Sequence, residues 1–579
     1  MVHFHLLMRK VRQLTPAGHS AHQLFQEGPT NPVLKDAQGR RCVSSASLSL
    51  LFGGCSVSEW LVTWTELLAF EDLSVSEMEL TAGALRRRLT SVMAVTSRRQ
   101  FVQQSLFAAA AVYGHPVQTL AGVRGTLRAG EQNVASVDPA EIRTLASKIN
   151  GHVITPEASD YESSRLVFNR AFDLRPAVIV RCAGASDVAH ALDFAQTKHL
   201  PLAVRAGGHS RLGFGMCDGG VVIDLSGMKR VEVDAGKRVA RTEAGALVRD
   251  LDEATQRFGL ATTSGGCPTV GIAGLTLGGG EGKLMGKYGA ACDNLLSAQV
   301  VTVGGRQVEA SLKSNPDLFW AIRGGGGNFS VVTALEYQLH PVTDVLAGSL
   351  MYPAGRIPEL LQAFAKFVAA EPDEMDALAQ LLPSERGPRC RMDVCSCGDP
   401  RIGNDLLRPL RALKPQDDSV KVMSYLEAQS AGGFLLTPVA HFQTNLFLRE
   451  LNGAAIAAIA TAINSAPATC KVIIVPLRGA VSRVGLSATA FSLRQPGYEI
   501  DMAGVWSAPA EKADVVRWVQ ATRDSLQAFA HGVYVNQLGD TSDELVRSAY
   551  GQNYARLVKI KEKYDPNNVL RLNQNIKPD

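Results

Sequence analysis

The chain has 579 residues, more than one ordinary hydrophobic core contains, so the sequence predicts at least two domains. Hydrophobic residues make up 46% of it and charged residues 20%, which is typical of a globular protein in water. The formal net charge is only +4, so composition gives no reason to expect nucleic-acid binding. No apolar run reaches about 18 residues, so no transmembrane helix is expected.

The cysteines argue against a metal or disulfide scaffold. Ten cysteines are too few for a disulfide framework in a chain of this length. Cys390, Cys395 and Cys397 lie close together, but no second Cys/His pair with zinc spacing follows them. We therefore expect no structural metal site.

Two interpretations are open for residues 1–92: a small N-terminal module, or sequence upstream of the true translation start. Residues 93–122 favour the second. They begin at Met93, continue with Ser97-Arg98-Arg99-Gln100-Phe101, and then carry a modest apolar segment, which is typical of a twin-arginine export signal. An ordinary amphipathic helix is the alternative. The pattern predicts a periplasmic or secreted bacterial protein, with a cytoplasmic location as the alternative.

Short strands and helices alternate from residue 138 to residue 345, which predicts α+β architecture. The helix after residue 185 should be N-capped by Ser186 and bury Val188, Leu192 and Ala195. The predicted elements in chain order are a helix at 139–149, a strand at 177–180, the helix capped by Ser186, strands at 202–204, 221–225 and near 231, a helix opened by Gly245 with the face Leu247, Leu251, Ala254 and Phe258, a strand at 299–303, a helix from Pro316 to Arg323, and an alternating strand at 331–339.

Residues 346–532 have fewer glycines and predict a second domain, a sheet backed by helices, that would bind the substrate. Helical patterns lie at 357–370, 403–413, 453–464 and 510–531, and strand patterns at 470–476 and 498–506.

Four glycine runs, at 207–208, 265–266, 278–282 and 324–327, lie within about 130 residues of one another. Because glycine lacks a Cβ, its backbone N–H can approach an anion closely. Neither a Walker A motif nor a Rossmann fingerprint is present. The runs predict a backbone cradle for a large phosphorylated cofactor.

The sequences Gly207-Gly208-His209-Ser210 and Gly266-Cys267-Pro268, with the segment from 550 to 576, identify a family resemblance. From roughly residue 138 to the C-terminus the chain resembles the berberine bridge enzyme-like flavoproteins of the vanillyl-alcohol oxidase superfamily. The resemblance implies a two-subdomain, PCMH-type FAD-binding domain at 138–345, a substrate domain at 346–532, and a C-terminal segment at 533–579 that returns to the FAD domain.

The resemblance also implies bicovalent FAD, with His209 bound to the 8α-methyl group and Cys267 to C6. An imidazole nitrogen and a thiolate are reasonable nucleophiles for an electron-poor flavin. The other residues expected to contact the cofactor are Arg205, Gly207, Gly208, Ser210, Gly271, Gly274, Gly278, Gly279, Gly280, Gly282, Tyr288 and Asn575.

In this family a substrate C–H bond is oxidised by hydride transfer to flavin N5 while a base takes a proton from O–H or N–H. Tyr534 matches a Tyr-x-Asn motif and is the predicted base, although a buried structural tyrosine is equally compatible with the pattern; Tyr498 and Glu499 are weaker candidates. Val270 resembles the gate residue of oxygen-reactive members, which favours an oxidase that uses O2 and releases H2O2.

The sequence is compatible with three functional interpretations. The first is an exported oxidase of a small-molecule alcohol, sugar or amine. The second is a cytoplasmic flavoenzyme that tailors a secondary metabolite by oxidative cyclisation or dehydrogenation. The third is a non-catalytic protein that keeps the flavin fold, which His209 and Cys267 argue against because a scaffold needs neither nucleophile.

Overall fold

The computed structural model describes residues 34–35, 41–42, 137–431 and 437–579. The chain divides into two compact units, 1–127 and 128–579. In the first unit, strands β1 (Leu34–Lys35) and β2 (Arg41–Cys42) pair in antiparallel orientation. The interpretation of 1–92 otherwise lies outside the described residues, as does the predicted twin-arginine signal at 93–122. Residues 137–431 and 437–579 belong to the second unit.

Nineteen strands are described in the second unit. In chain order they are β3 (His152–Ile154), β4 (Val178–Arg181), β5 (Leu202–Arg205), β6 (Val221–Asp224), β7 (Val231–Asp234), β8 (Val239–Glu243), β9 (Leu260–Ala261), β10 (Leu295–Val301), β11 (Gln307–Ser311), β12 (Val331–Gln338), β13 (His340–Pro341), β14 (Asp344–Met351), β15 (Met375–Leu382), β16 (Arg389–Ser396), β17 (Asp417–Asp418), β18 (Lys421–Ser424), β19 (Ala440–Leu448), β20 (Cys470–Leu477) and β21 (Gly497–Trp506).

Sixteen α-helices are described with them. They are α1 (Pro139–Ala146), α2 (Tyr161–Ser164), α3 (Ala185–Thr197), α4 (Val248–Gln256), α5 (Ile272–Leu277), α6 (Met285–Tyr288), α7 (Pro316–Ile322), α8 (Ile357–Ala370), α9 (Pro400–Leu406), α10 (Arg408–Ala412), α11 (Tyr425–Ser430), α12 (Gly453–Asn464), α13 (Ala480–Arg483), α14 (Lys512–Leu526), α15 (Asp543–Tyr550) and α16 (Tyr554–Tyr564). Within the described residues, no helix has the length and apolar character needed to cross a lipid bilayer. Helices combined with several sheets confirm the predicted α+β class.

A small sheet with the order β3-β4-β6-β5 carries the first glycine run. Strands β4 and β5 both pair in parallel with β6, so the chain must cross over between them, and α3 makes that connection. The predicted apolar face of α3 is fully buried against these strands. The C-terminal end of β5 therefore delivers residues 206–210 from a rigid support.

A five-stranded antiparallel sheet, β11-β10-β12-β8-β7, lies in the same half of the unit. The predicted alternating strand at 331–339 is present as β12, but its first five residues are all buried. Both of its faces are covered over that stretch, so burial does not follow the expected period of two.

A third sheet is built from residues 344–506. Its strand order is β17-β14-β16-β15-β20-β21-β19, and β18 also pairs with β14. Helices α8, α12 and α14 pack against one another and against strands of this sheet. Burial alternates strictly along β15, where Met375, Ala377, Ala379 and Leu381 are buried and the residues between them are partly exposed. One face of the sheet therefore packs into the core, while the other remains available to a ligand.

Several boundaries differ from the predictions for physical reasons. Ser186 is not the N-cap of α3; Gly184 occupies that position, and the Asp187 side chain accepts a hydrogen bond from the N–H of Ala183 at 2.8 Å. The helix predicted at 403–413 is divided into α9 and α10 because Pro409, at the start of α10, has no N–H to continue the ladder.

The predicted face of the helix after Gly245 is also partly wrong. Helix α4 begins at Val248, with Leu247 as its N-cap, and it ends at Gln256. Phe258 lies beyond that end and is 52% exposed, so it does not contribute to the buried face.

The C-terminal segment is anchored by an ion pair whose side chains are both 0% exposed. Lys561 Nζ donates to Asp565 Oδ2 at 2.7 Å and to the carbonyl oxygens of Asn328 and Leu570 at 2.8 and 2.9 Å. The Asp565 carboxylate also accepts the backbone N–H groups of Val569 and Leu570. Both charges are fully hydrogen-bonded, which is the condition under which a buried pair is tolerated.

Replacing Lys561 with methionine should lower the free energy of unfolding by about 3–5 kcal/mol, because the Asp565 carboxylate would stay buried without its cation. Urea denaturation of the purified protein measures this change. Lys563→Met is the matched control: Lys563 is 60% exposed in its pair with Asp317, and its loss should cost less than about 1 kcal/mol. Equal effects of the two substitutions would contradict the anchoring role.

Candidate functional site

A cavity of about 850 Å³ lies between the glycine-rich loops and the open face of the third sheet. One wall is formed by most residues of the segments 204–211, 265–275 and 326–332, together with Leu570, Leu572, Asn573 and Gln574 from the C-terminal segment. The opposite wall consists of side chains of β15, β16, β20 and β21. The volume is that of a small-molecule or cofactor site.

His209 lies on the loop that follows β5 and faces this cavity. Its ring stacks on Phe168 with centroids 3.7 Å apart, and the Phe168 N–H donates to the Gly208 carbonyl at 3.0 Å. Burial, followed by the positive charge of Arg211 and the proximity of the His441 imidazole, lowers the pKa of His209 to about 3. The imidazole is therefore neutral near pH 7, and its buried Nε2 has no hydrogen-bond partner among the described residues.

Cys267 lies on the second loop and faces the same cavity, with its Sγ 3.3 Å from Thr269 Oγ1. The loop is fixed by the first turn of α4, whose Val248 N–H donates to the Val270 carbonyl at 2.8 Å. Gln429 of α11 donates to the Gly265 carbonyl at 3.0 Å and so ties the loop to the third sheet. The structure thus brings the two predicted tethering residues to one cavity, on two separately supported loops.

The glycines of these loops are required where the loops touch each other. A Cβ on Gly207 would lie 2.3 Å from the backbone nitrogen of Gly271, and a Cβ on Gly271 would lie 2.5 Å from that of Gly207. A Cβ on Gly282 would likewise lie 2.7 Å from the nitrogen of Gly265. Gly274 is different, because a Cβ there would meet no atom within 4 Å and would project into open space.

The cavity wall also contains polar groups that fit a phosphorylated, heteroaromatic cofactor. Arg205 Nε is a buried donor, and Ser330 Oγ and Asn573 Oδ1 are buried oxygens, and none has a hydrogen-bond partner within the described part of the chain. Buried polar atoms in a native protein are normally paired, so these atoms fit a polar ligand bound in the cavity. The residues present therefore fit FAD as well as the motifs do.

Eleven of the predicted site residues line the cavity: Arg205, Gly207, Gly208, His209, Ser210, Cys267, Val270, Gly271, Gly274, Gly282 and Tyr534. Gly278 and Gly279 instead pack against Asn536 and Phe491, and the Gly280 N–H donates to Tyr534. Tyr288 stacks on His340 with centroids 3.9 Å apart. Asn575 lies next to the lining residue Gln574, and its buried Oδ1 is also without a partner in the described chain. Cofactor contact stays a prediction for these five residues and for the eleven that line the cavity.

Tyr534 is 2% exposed and lies among polar side chains where the two walls meet. Its phenolic oxygen accepts hydrogen bonds from Asn536 Nδ2 at 2.8 Å and from the Gly280 N–H at 3.1 Å. Burial, followed by the charges of Glu281 and Glu499, raises the pKa of Tyr534 well above its ordinary value. The phenol therefore keeps its proton near neutral pH.

The sequence did not single out Arg211, Glu281 and Asp501, which lie beside Tyr534 in the cavity wall. Glu281 stands inside a predicted glycine run, and Asp501 and Glu499 stand two residues apart in an apolar strand. A buried acid in either setting is unusual and could have served as the signal. Burial raises the pKa of Glu281 to about 7 and that of Asp501 to about 6.

Comparison with known proteins agrees with this geometry. A family model for an FAD binding domain matches residues 176–311, and a model described as berberine and berberine like matches residues 533–577. An uncharacterized FAD-linked oxidoreductase of Bacillus subtilis (strain 168) is 31% identical over 446 residues, which are 75% of this chain and 98% of the relative.

The (R)-6-hydroxynicotine oxidase of Paenarthrobacter nicotinovorans is 31% identical over 456 residues, covering 74% of this chain and 97% of the relative. The crystal structure of 6-hydroxy-D-nicotine oxidase from Arthrobacter nicotinovorans aligns with a TM-score of 0.68 at 30% identity, covering 74% of this chain and 98% of that one. The chain therefore belongs to the FAD-linked oxidoreductases of the berberine bridge enzyme-like, PCMH-type family, and it is an FAD-binding enzyme.

Proposed function

We propose that this enzyme is an oxidase that takes a hydride from a C–H bond of an alcohol, sugar or amine and uses O2 to form H2O2. Its FAD would be attached through both His209 and Cys267. The observation that carries the proposal is the location of both nucleophiles at one cavity, on loops whose glycines allow close backbone approach. A relative and an aligned crystal structure that are both named as oxidases of 6-hydroxynicotine support it.

His209 and Cys267 would hold the flavin ring from two sides. The neutral imidazole of His209 has a lone pair available for carbon, and the ring is kept in place by its stacking on Phe168. Cys267 is positioned by a loop tied to both α4 and α11. Two attachments would fix the ring relative to the sheet wall, where the substrate would bind.

The sheet wall supplies groups for a polar small molecule. Asp376 and Gln380 of β15, Lys471 of β20 and Asp501 of β21 face the cavity, with the apolar side chain of Ile473 among them. Bound FAD would supply the hydride acceptor and pass two electrons to O2. The wall side chains would orient the substrate by hydrogen bonds and exclude water from the reacting carbon.

Tyr534 would contact the substrate, but as a proton donor or hydrogen-bonding group rather than as the base. Its raised pKa leaves it protonated near neutral pH, and Asn536 Nδ2 and the Gly280 N–H both donate to its oxygen. A proton acceptor other than the phenol is therefore required in the same wall.

The export interpretation is a separate proposal that rests on the sequence at 93–122. A twin-arginine signal would suit a protein that folds around a covalently bound cofactor before it crosses the membrane. The intact mass of the native protein tests this, because a mature chain that retains Met1 would contradict it.

Oxidase activity should appear as one H2O2 released for each product formed when holoprotein is screened against alcohols, sugars and amines in air. A peroxidase-coupled assay measures the peroxide. Substrate-dependent bleaching of the flavin under anaerobic conditions without any peroxide in air would identify a dehydrogenase instead.

Bicovalent attachment should leave flavin mass on two proteolytic peptides, one containing His209 and the other Cys267, because both bonds survive denaturation. Mass spectrometry of digested holoprotein checks this. His209→Ala should keep the adduct on the Cys267 peptide, and Cys267→Ser should keep it on the His209 peptide. The Cys470 peptide is the control and should carry none, and flavin lost completely on acid precipitation of the wild type would overturn the attachment.

Substituting isoleucine for Val270 should slow reoxidation of the reduced flavin by O2 roughly tenfold, which corresponds to an activation barrier higher by about 1.4 kcal/mol. The reason is that Val270 lines the cavity, and the added methylene would narrow the space through which O2 reaches the flavin. Stopped-flow mixing of reduced enzyme with oxygenated buffer measures the rate. Val303→Ile is the control, because Val303 is partly buried outside the cavity lining. An unchanged rate in Val270→Ile would remove the gating role.

A further inference from the structure

Two carboxyl side chains from distant parts of the sequence meet beside Tyr534. Glu281 follows the glycine run at 278–280 and lines the cavity, whereas Glu499 lies within β21 and is 1% exposed. The two carboxyl groups are hydrogen-bonded to each other. Two ionised carboxylates cannot share a hydrogen bond, so the contact requires a proton between them, and the pair carries at most one negative charge.

The surrounding backbone fixes this pair relative to the phenol. The Gly280 N–H, one residue before Glu281, donates to the phenolic oxygen of Tyr534. On β19, Asn445 Oδ1 accepts the backbone N–H of Tyr534 at 2.7 Å, and Asn445 Nδ2 donates to the Tyr534 carbonyl at 2.9 Å. Glu499 pairs in register with Val475 of β20 and Phe447 of β19, so it is held from both sides. The pair is therefore a rigid part of the cavity wall.

Four charged side chains lie near the pair. Asp501 lies two residues further along β21, and Asp376 lies on β15; both are acidic and raise the pKa of Glu281. Arg211, after the His209 loop, is the cation that faces Glu499 and Asp501, while Lys471 of β20 faces Asp501. Arg211 Nε also donates to Gln537 Oε1 at 2.9 Å, which fixes the guanidinium. One negative charge on the pair is thus balanced by a held cation.

Each member of the pair has one buried oxygen without a hydrogen-bond partner in the described structure, Glu281 Oε1 and Glu499 Oε1, and Asp501 Oδ1 is in the same condition. Of the two paired carboxyl groups, only that of Glu281 belongs to a residue that lines the cavity. The Tyr534 oxygen, in contrast, already accepts two hydrogen bonds. A substrate O–H or N–H that enters this region therefore finds its unsatisfied acceptor on Glu281 rather than on the phenol.

Resting on the oxidase function proposed above, we propose that Glu281 is the catalytic proton acceptor and that Glu499, by sharing a proton with it, is its positioning residue. The substrate has a hydroxyl or a neutral amine on the carbon that is oxidised. Its O–H or N–H bond breaks and the proton goes to Glu281; its C–H bond breaks and the hydride, with both electrons, goes to FAD. A C=O or C=N bond forms, and the fully protonated pair then returns one proton to solvent.

The test uses holoprotein and a substrate found in the peroxide screen, mixed without oxygen, with the rate of flavin bleaching recorded against pH. The wild-type rate should rise with pH through an inflection near the Glu281 pKa of about 7, because the pair must lose a proton before it can accept one. Glu281→Gln should lower the rate by about 10²- to 10⁴-fold and remove the inflection. Glu499→Gln should lower the rate less and move the inflection.

Two comparison variants separate the alternatives. Tyr534→Phe should keep the inflection. If the inflection is lost in Tyr534→Phe but retained in Glu281→Gln, the phenol is the acceptor and the proposal is overturned. Glu371→Gln is the matched control. Glu371 is a buried carboxyl whose pKa is raised to about 8, but it pairs with Arg478 outside the cavity lining, so rate and inflection should be unchanged.

Infrared difference spectra recorded across the inflection give a readout independent of turnover. Wild-type holoprotein should lose the band of a protonated carboxyl group as pH rises, and Glu281→Gln and Glu499→Gln should lack that change. If a variant fails to fold, the wild-type spectra still test the proposal. Wild-type spectra that show no loss of a carboxyl proton across the inflection would overturn it. Wild type bleached by no alcohol, sugar or amine would refute the oxidase function itself, whereas normal bleaching in Glu281→Gln refutes only the assignment of the base.

Discussion

The buried pair of Lys561 and Asp565 is the constraint on which the cavity depends. Lys561 joins the carbonyl of Asn328, directly after the last glycine run, to that of Leu570, the first residue of the C-terminal segment that lines the cavity. Asn328 completes the link, since its side chain donates to the Gln574 carbonyl and accepts from the Ile576 N–H. A cation with no exposure thus holds together two parts of the wall that are more than 200 residues apart in sequence.

The opposite wall follows a different principle, the alternation of side chains along strands. In β15 the residues between the buried ones, from Asp376 to Leu382, all face the cavity. Contacts between the walls are polar: Gln537 accepts hydrogen bonds from Arg211 and from Gln443 of β19, both at 2.9 Å. A packed core sets the shape of this wall, and a polar network sets its position relative to the loops.

The extent to which sequence predicted this arrangement can be explained residue by residue. His209 and Cys267 were found because each stands in a short motif with glycines that backbone contact requires. Strands β14 to β19 were missed. In β15 the cavity face carries Leu378 and Leu382 besides its polar residues, so apolar side chains lie on both faces, and its alanines, leucines and methionine favour helix. Helices α8 and α12, with a single apolar stripe, were predicted within a residue of their ends.

The carboxyl pair could not be predicted for another reason: no local pattern reveals that Glu281 and Glu499 touch.

The joining of Leu570 to Asn328 affects when the cavity is completed as well as its shape. During translation residues 570–574 are made after every other part of the cavity lining, so the cavity wall is complete only once those residues have been synthesised.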